Sequence, residues 1–478
     1  MKQSILKLTV AATMLLTAKV QANDADKSSP AFAQVTVHSD QPGLAIPRDF
    51  IGLSYEKSVL AGSHFRADNA ELINLCRNLG TGVLRFGGNT VETTYWSRIN
   101  GIASTPHEKS MPQFIGPAAL DNLYAFAKMC DWRVIHGLNL AGNNPATAAD
   151  EATYAMRVGG PMMLAFEVGN EPDYYPRHEL RATNYLYGQY RSEAEAEQRA
   201  ILDRLPNAPM AGPATTKSSD WFSSFVADFK GRLALATSHF YSLSAKSKDS
   251  RSANFATVEN LLSAATRKNW LAIIEARQKA AHSAGISFRL GECNTVSNGG
   301  TDGVSDVFAS ALWGVDFLFD AAELGVAGIN FHSGFSNRGY TPLCYRDGHY
   351  RPHPLYYAML LFHQAAGGRM VPVECRTSLN VTAHAVLGDN GKIMVVVINK
   401  ALTQSVEVSV ATGTARNRAE VIRLTAPSVT SKEDVTLAGN AVSEDGKWKP
   451  HSGESVPGAN GRFELSMPAA SVALLTIE

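Results

Sequence analysis

Short apolar runs alternate with longer helical stretches along most of the chain. Eight such runs lie between residues 50 and 362, and the segments between them have the spacing of amphipathic helices. This alternation is typical of a parallel α/β fold. Eight strand–helix units fit a closed (β/α)8 TIM barrel, with an open doubly wound sheet as the alternative. The predicted strands cover residues 50–54, 82–86, 133–139, 162–168, 209–212, 235–240, 286–290 and 327–331.

The pattern changes after residue 362, where apolar and polar residues alternate with period two. These runs predict an antiparallel β-sandwich, and they cover residues 392–398, 405–410, 419–424 and 471–476. A similar run at 34–37 precedes the first barrel strand, and we expect it to pair with the sandwich. The predicted domains are therefore a barrel over 46–362 and a sandwich over 363–478. The segment 23–45 is predicted to be a polar leader and an N-terminal strand that adds to the sandwich.

The first 22 residues differ from the rest of the chain. Lys2 and Lys7 precede an apolar stretch at 8–18, and small residues follow up to Ala22. This pattern predicts a secretory signal peptide cleaved after Ala22. The apolar stretch is about half of the ~20 residues that a membrane-spanning helix needs. We therefore expect a secreted or periplasmic protein that does not insert into a membrane.

Composition narrows the function classes. Hydrophobic residues make up 45% and charged residues 18% of the chain, which is typical of a globular protein. The 44 basic and 44 acidic residues cancel, so no basic excess favours nucleic-acid binding. The five cysteines lack the spacing of a metal site. We predict no metal, no cofactor and no obligate protein partner.

Two glutamates at strand ends carry the candidate chemistry. Glu171 follows the fourth predicted strand and Glu292 follows the seventh. Because barrel enzymes keep their active sites at the carboxyl ends of the strands, the two side chains are expected to face each other across the barrel mouth. A pair of carboxyl groups is what hydrolysis of a glycosidic bond requires. Asn170, beside Glu171, is predicted to face the 2-hydroxyl of the sugar.

Several motifs, taken in order, resemble glycoside hydrolase family 79, the family of β-glucuronidases and heparanases. The resemblance covers most of the chain after the signal peptide, and its motifs lie at residues 52–56, 84–89, 168–172, 291–294 and 304–332. It implies a barrel with an attached β-sandwich. It also implies that Glu171 is the acid/base and Glu292 the nucleophile of a retaining hydrolase, and that Tyr241 hydrogen-bonds the nucleophile.

The same resemblance assigns the loop at 336–343 to recognition of the uronate C6 carboxylate. Gly339 offers a backbone N–H, Tyr340 a phenol and Arg338 a positive charge. In the loop after the nucleophile, this chain has Ser297 where the family's glucuronidases often have a tyrosine. The shorter side chain leaves open a bulkier or 4-O-methylated uronate, or a weaker grip on the carboxylate.

The remaining titratable residues near these motifs receive structural interpretations. Glu167 lies four residues before Glu171, and we expect it to be a buried partner of Arg85. His239 and His332 are predicted to line the pocket wall, and His136 is predicted to be structural. A further set of basic residues is expected near the mouth, comprising Lys57, His64, Arg66, Arg338, Arg346 and Arg351.

The sequence therefore predicts a retaining exo-β-glucuronidase whose partner is a glycan or glycoside containing glucuronic acid. An endo-acting, heparanase-like enzyme is the alternative, because the basic residues offer sites for sulfates. A non-catalytic glycan-binding barrel is more remote, since it would require the loss of the carboxylate pair. Retention predicts a separation of about 5 to 5.5 Å between the carboxyl groups of Glu171 and Glu292.

Overall fold

The computed structural model describes residues 31–99, 113–216 and 219–478. The predicted signal peptide and the leader up to residue 30 lie outside them. The described strands are β1 (Ala31–Val37), β2 (Ile51–Glu56), β3 (Gly82–Gly87), β4 (Thr94–Trp96), β5 (Gln113–Ile115), β6 (Trp132–Leu138), β7 (Met163–Val168), β8 (Met210–Thr215), β9 (Leu233–Ser244), β10 (Ser287–Ser297), β11 (Ile329–Ser333), β12 (Leu343–Arg346), β13 (His349–Pro352), β14 (Gly368–Val371), β15 (Val373–Thr377), β16 (Val381–Gly388), β17 (Ile393–Asn399), β18 (Val406–Ala411), β19 (Arg418–Thr425), β20 (Thr436–Leu437), β21 (Glu454–Ala459), β22 (Arg462–Met467) and β23 (Ser471–Ile477).

The described helices follow the barrel strands. They are α1 (Ala70–Asn78), α2 (Pro117–Cys130), α3 (Pro145–Gly159), α4 (Tyr187–Arg204), α5 (Ser219–Asp228), α6 (Val258–Leu261), α7 (Ala264–Ser283), α8 (Ala309–Glu323) and α9 (Pro354–Ala365). Short 3-10 turns cover Lys57–Ala61, Asn89–Thr93, Gly160–Met162 and Pro172–His178. Local signals begin several helices: Asn144 and Ser263 accept backbone hydrogen bonds as N-caps of α3 and α7.

Eight strands close into a parallel barrel in the order β2, β3, β6, β7, β8, β9, β10 and β11. Each of them overlaps one of the eight predicted runs. The prediction of a (β/α)8 barrel is therefore confirmed, and the open doubly wound sheet is wrong because β11 pairs back onto β2. The carboxyl ends of all eight strands meet at one rim, where the predicted site residues lie.

The other large β-region combines the start and the end of the chain. Its strands pair in the order β14, β16, β17, β23, β19, β21, β22, β18, β1 and β15, with β20 added to β19. Strand β1 pairs antiparallel to β15 and parallel to β18, so one parallel pair enters an otherwise antiparallel region. Alternate residues from opposite ends of this order, such as Val35 and Val395, share one core.

The domain boundaries placed at 45/46 and 362/363 remain predictions. Strand β1 ends at Val37 and β2 begins at Ile51, whereas α9 ends at Ala365 and β14 begins at Gly368. The short strands β14 to β16 and β20 to β22 were not predicted. Strand β15, for example, alternates over only five residues and places no fully buried side chain, so its period-two signal is weak.

The barrel and the β-region pack against each other through α8. Its residues from Ala309 to Ala322 are all buried, and most of them are apolar. Strand β17 is also buried on both faces, because it lies between the core of the β-region and the cluster that includes α8. Val395 faces the core of the β-region, whereas Val396 and Ile398 belong to the cluster that includes α8.

A buried ion cluster crosses this contact. Asp316 of α8 accepts hydrogen bonds from the Nζ of Lys400 and from the hydroxyl of Thr382 at 2.8 Å. The Nε2 of His384 lies 2.9 Å from the same carboxylate. Asp316 is fully buried and Lys400 is 3% exposed, so the pair links two apolar surfaces. Within the described residues, no helix is both long enough and apolar enough to span a membrane.

Candidate active site

Glu171 lies just after β7, whereas Glu292 lies within β10, which runs on to Ser297 instead of ending at the predicted residue 290. Glu171 follows β7 in a left-handed conformation with φ of 50°, after Gly169 with φ of 80°. Glu292 lies at a bulge in β10, where the pairing with β9 shifts between Leu290 and Glu292. Bulges near active sites redirect side chains. The local backbone therefore turns both carboxyl groups towards the barrel axis.

The two carboxyl groups face each other at short range. One carboxylate oxygen of Glu171 and one of Glu292 lie within 4.8 Å of each other. The Nδ1 of His239 lies between them, at 2.9 Å from Glu171 Oε1 and 4.0 Å from Glu292 Oε2. The structure thus brings together the two glutamates that the sequence places on different strands.

Glu292 is surrounded by groups that stabilise its charge. Arg85 Nη1 donates to Oε2 at 2.9 Å, and the hydroxyl of Tyr241 donates to Oε1 at 2.7 Å. His332 Nδ1 lies 3.4 Å from Oε2. Burial alone would raise the pKa of Glu292, but the charges of His332 and Arg85 and the bond from Tyr241 hold it well below its usual range. Glu292 is therefore ionised.

Glu171 has the opposite environment. Burial, and then the negative charge of Glu292, raise the pKa of Glu171 well above its usual value. Burial also lowers the pKa of His239 to about 3, so the imidazole that shares a 2.9 Å hydrogen bond with Glu171 is neutral. Two carboxyl groups whose environments separate their pKa values can serve as an acid and an anion in one site.

Arg85 organises the floor of this site. Its guanidinium is fully buried and donates to Glu167 at 2.6 Å, Ser54 at 3.0 Å and Asn170 Oδ1 at 2.9 Å, besides Glu292. The prediction that Glu167 is a buried partner of Arg85 is confirmed. Asn170 thus lies against the same guanidinium as Glu292, within the candidate site.

The loops that follow β10 and β11 lie against each other beside the pair. The Tyr340 ring is half-buried, with its centroid 5.8 Å from that of Tyr241 and 5.9 Å from that of His332. Gly339 has φ of 80°, and a Cβ there would lie 1.9 Å from the carbonyl oxygen of Gly299, so only glycine fits. Ser297 is half-buried and accepts a hydrogen bond from Asn298 at 2.9 Å.

Arg338 lies apart from this group. It is exposed and lines a separate cavity of about 730 Å³, whose walls include neither Glu171 nor Glu292. Arg346 and Arg351 line the same cavity and have acidic partners, Glu433 at 3.6 Å and Glu444 at 3.8 Å.

The prediction that Lys57 lies at the mouth is wrong. Its side chain is fully buried, and its Nζ pairs with Glu151 at 2.7 Å. His136 Nε2 lies 2.7 Å from the same carboxylate, which confirms a structural role for His136. Arg66 is exposed and pairs with Asp68 at 3.1 Å.

Sequence reasoning underrated several residues that contact the pair. His239 and His332 were assigned only to the wall, yet each lies within 3.4 Å of a site carboxylate. Arg85 was expected to pair with Glu167 alone. Glu56, with an oxygen 3.7 Å from His332 Nε2, was not considered as a site residue. Their position at the ends of barrel strands was the signal that could have found them, since those ends converge on one rim.

Two groups of side chains within the described residues offer metal-ligand atoms within 4.8 Å of one another: Glu171, His239 and Glu292, and Asp316, Asp320 and His384. Arg85 and His332 beside Glu292 oppose a bound cation in the first group. Lys400 and Arg267 already pair with the carboxylates of the second. Neither group needs a metal ion for charge balance.

Comparison with known proteins gives consistent matches. A model of the glycosyl hydrolase family 79 C-terminal beta domain matches residues 383–474. A beta-glucuronidase of Neurospora crassa is 26% identical over 347 residues, which are 64% of this chain and 60% of that protein. A beta-glucuronidase of Aspergillus niger is 25% identical over 378 residues, covering 70% of this chain and 68% of that protein.

A solved structure extends the match to nearly the whole chain. The 4-O-alpha-L-rhamnosyl-beta-D-glucuronidase of Fusarium oxysporum has a TM-score of 0.79 and covers 93% of this chain and 100% of its own. Its sequence identity is 20%, so this likeness shows the shared fold alone. The family model adds the evidence for the β-region, and the two fungal relatives add the evidence of sequence.

Proposed function

We propose that this chain belongs to glycoside hydrolase family 79 and is a retaining exo-β-glucuronidase. The observation that carries the proposal is the pairing of Glu171 and Glu292, whose carboxylate oxygens lie within 4.8 Å and whose pKa values shift in opposite directions. Inverting enzymes keep about 6.5 to 9.5 Å between these groups to admit a water molecule, and retaining enzymes about 5 to 5.5 Å. The short distance supports retention.

In the proposed mechanism, Glu292 attacks the anomeric carbon while Glu171 protonates the leaving oxygen. This forms a covalent glycosyl-enzyme and releases the aglycone. Glu171, now ionised, removes a proton from water, which attacks the same carbon and frees Glu292. Arg85 and Tyr241 hold the Glu292 carboxylate before the attack, at 2.9 and 2.7 Å. The neutral imidazole of His239 lets Glu171 keep its proton until the leaving oxygen takes it.

The substrate class rests on the relatives and on the loops beside the pair. Two relatives are named beta-glucuronidases, and we propose that this chain also hydrolyses β-linked glucuronic acid. In this proposal the Gly339 N–H, the Tyr340 phenol and Ser297 bind the C6 carboxylate. Burial raises the pKa of Tyr340, so its hydroxyl stays a neutral donor to an anion. Asn170 binds the 2-hydroxyl.

An exo-acting enzyme is preferred over an endo-acting one because the expected basic surface is largely neutralised. Lys57 is buried against Glu151, and Arg66 pairs with Asp68. Arg346 and Arg351 each lie near an acidic side chain. A sulfated polymer therefore meets little free positive charge. We also propose export of the protein, on the basis of residues 1–22 alone.

Hydrolysis of aryl β-glycosides that differ only at C6 tests the substrate class. We expect the glucuronide to be cleaved with a far higher kcat/KM than the matching glucoside, and heparan sulfate chains not to be shortened. A preference for the glucoside would remove the glucuronidase assignment, and internal cleavage of heparan sulfate would favour the endo alternative. Proton NMR of the first product should show the β-anomer, whereas an α-product would exclude retention.

A further inference from the structure

A buried carboxylate outside the catalytic pair joins the ends of three barrel strands. Glu92 lies in the 3-10 turn that follows β3 and is 3% exposed. Its Oε2 accepts from the backbone N–H groups of Leu140 at 3.0 Å and Ala141 at 2.8 Å, just beyond β6. Its Oε1 accepts from the N–H of Asn170 at 2.8 Å and the hydroxyl of Tyr175 at 2.5 Å, just beyond β7.

All four contacts are donors to Glu92. Burial raises the pKa of its carboxyl group, and the hydrogen bonds from Tyr175, Ala141, Asn170 and Leu140 oppose that shift because each stabilises the charged form. The three backbone N–H groups cannot act as acceptors, so among the four partners only the Tyr175 hydroxyl could accept a proton from Glu92, and that bond would then reverse its direction. A glutamine in its place would likewise turn an NH₂ group towards donors.

The Asn170 contact matters because of what surrounds it in the chain. The N–H groups of Gly169 and Glu171 donate to the backbone carbonyls of Leu138 at 2.9 Å and Ala214 at 3.0 Å. Of these three successive N–H groups, only that of Asn170 depends on a side chain. The next residue, Glu171, has φ of 50°, a left-handed conformation that is unfavourable for a non-glycine residue. The surrounding bonds must hold it there.

From this geometry we propose that Glu92 is a positioning residue for the acid/base. Its carboxylate fixes the Gly169–Asn170 peptide, which immediately precedes Glu171 in the chain, and so helps to aim the Glu171 carboxyl group at the leaving oxygen. The proposal rests on the proposed function, because it assumes that Glu171 acts as the acid. Glu92 has no bond to Glu292 in the described structure, so its loss should weaken proton donation more than nucleophilic attack.

The test compares leaving groups in the Glu92→Gln variant. For an aryl glucuronide with a poor leaving group, which needs the proton, we expect kcat/KM to fall by about 100-fold, the effect of a misplacement near 1 Å. For an activated dinitrophenyl glucuronide, which departs without a proton, the fall should be at least tenfold smaller. The measured quantity is the ratio of kcat/KM for the poor leaving group to kcat/KM for the activated one. A loss of folding stability alone would lower both values together and leave this ratio unchanged, whereas a positioning role predicts that the ratio falls.

Glu151→Gln provides a matched control. Glu151 is also 3% exposed, but its Oε1 contacts the Nζ of Lys57 and the Nε2 of His136, and it has no contact with Asn170 in the described structure. This variant should lower the melting temperature while leaving the ratio between the two substrates unchanged. If Glu92→Gln does not fold, Tyr175→Phe removes one of the four bonds and should lower the ratio several-fold in the same direction.

The outcomes separate this proposal from the proposed function. If the wild-type enzyme cleaves neither glucuronide, the proposed function fails. If the wild type is active and Glu171→Gln discriminates between the leaving groups, but Glu92→Gln and Tyr175→Phe lose both activities equally, only the role of Glu92 is overturned. A changed ratio in the Glu92 variants but not in Glu151→Gln supports it.

Discussion

Removal of the Tyr241 hydroxyl should make the enzyme sensitive to acid. Its oxygen donates to Glu292 Oε1 at 2.7 Å, and the Tyr241→Phe change deletes that bond while keeping the ring. The pKa of Glu292 lies well below its usual range, partly because of this bond. A nucleophile must be ionised, so the pH at which Glu292 takes up a proton sets the acid limb of kcat/KM.

The size of the change follows from the charge on the acceptor. A hydrogen bond to a charged group contributes about 1.5 to 3 kcal/mol, and one pKa unit corresponds to about 1.4 kcal/mol. The pKa of Glu292 should therefore rise by about one to two units in Tyr241→Phe. Because a raised pKa protonates the nucleophile at higher pH, activity should be lost earlier as the pH falls, and the loss should be smaller at neutral pH.

The assay is the pH dependence of kcat/KM on an aryl glucuronide. Tyr340→Phe is the matched control, since its ring lies 5.8 Å from Tyr241 and no hydrogen bond joins it to Glu292 in the described structure. Its acid limb should stay where the wild-type limb lies. If the acid limb of Tyr241→Phe does not move, or moves equally in Tyr340→Phe, the hydroxyl does not stabilise the Glu292 anion and the reasoning is refuted.

Three further changes test other parts of the molecule. Glu292→Gln should abolish glycosyl-enzyme formation for every substrate, whereas Glu171→Gln should still cleave substrates with activated aryl leaving groups, and azide should rescue Glu171→Ala. Equal losses for the two Gln variants in steady-state kinetics would show that the roles are misassigned. Tyr340→Phe should lower kcat/KM for the aryl glucuronide about 10- to 150-fold and leave any residual activity on the matching glucoside unchanged. Equal losses on both substrates would mean that Tyr340 supports the pocket without binding the carboxylate. Asp316→Asn should lower the free energy of unfolding, measured by urea denaturation, by about 3 to 5 kcal/mol, because it leaves Lys400 buried without its charged partner. A decrease below about 1 kcal/mol would contradict that account.

The sequence predicts the parts of this molecule that depend on neighbouring residues. The barrel strands follow from short apolar runs, and Glu171 and Glu292 follow from their places at strand ends. Contacts between distant segments are not predictable in this way. Lys57 was grouped with the basic residues expected near the mouth, but Glu151, on a helix far along the chain, pairs with it and makes its burial possible. The role of Glu92 likewise depends on three backbone N–H groups that only the closed barrel brings together.

The difference between Glu171 and Glu292 arises from their surroundings, since the side chains are the same. Glu292, on β10, faces Arg85, Tyr241 and His332, and the pKa of His332 is raised against the effect of burial by the charges of Glu292 and Glu56. Glu171, after β7, faces a neutral His239. The Arg85 guanidinium bonds Glu292 directly and, on the side of Glu171, bonds Asn170. The positive charge is thus concentrated on one side of a pair less than 5 Å apart, so the negative charge resides on Glu292 and the proton resides on Glu171.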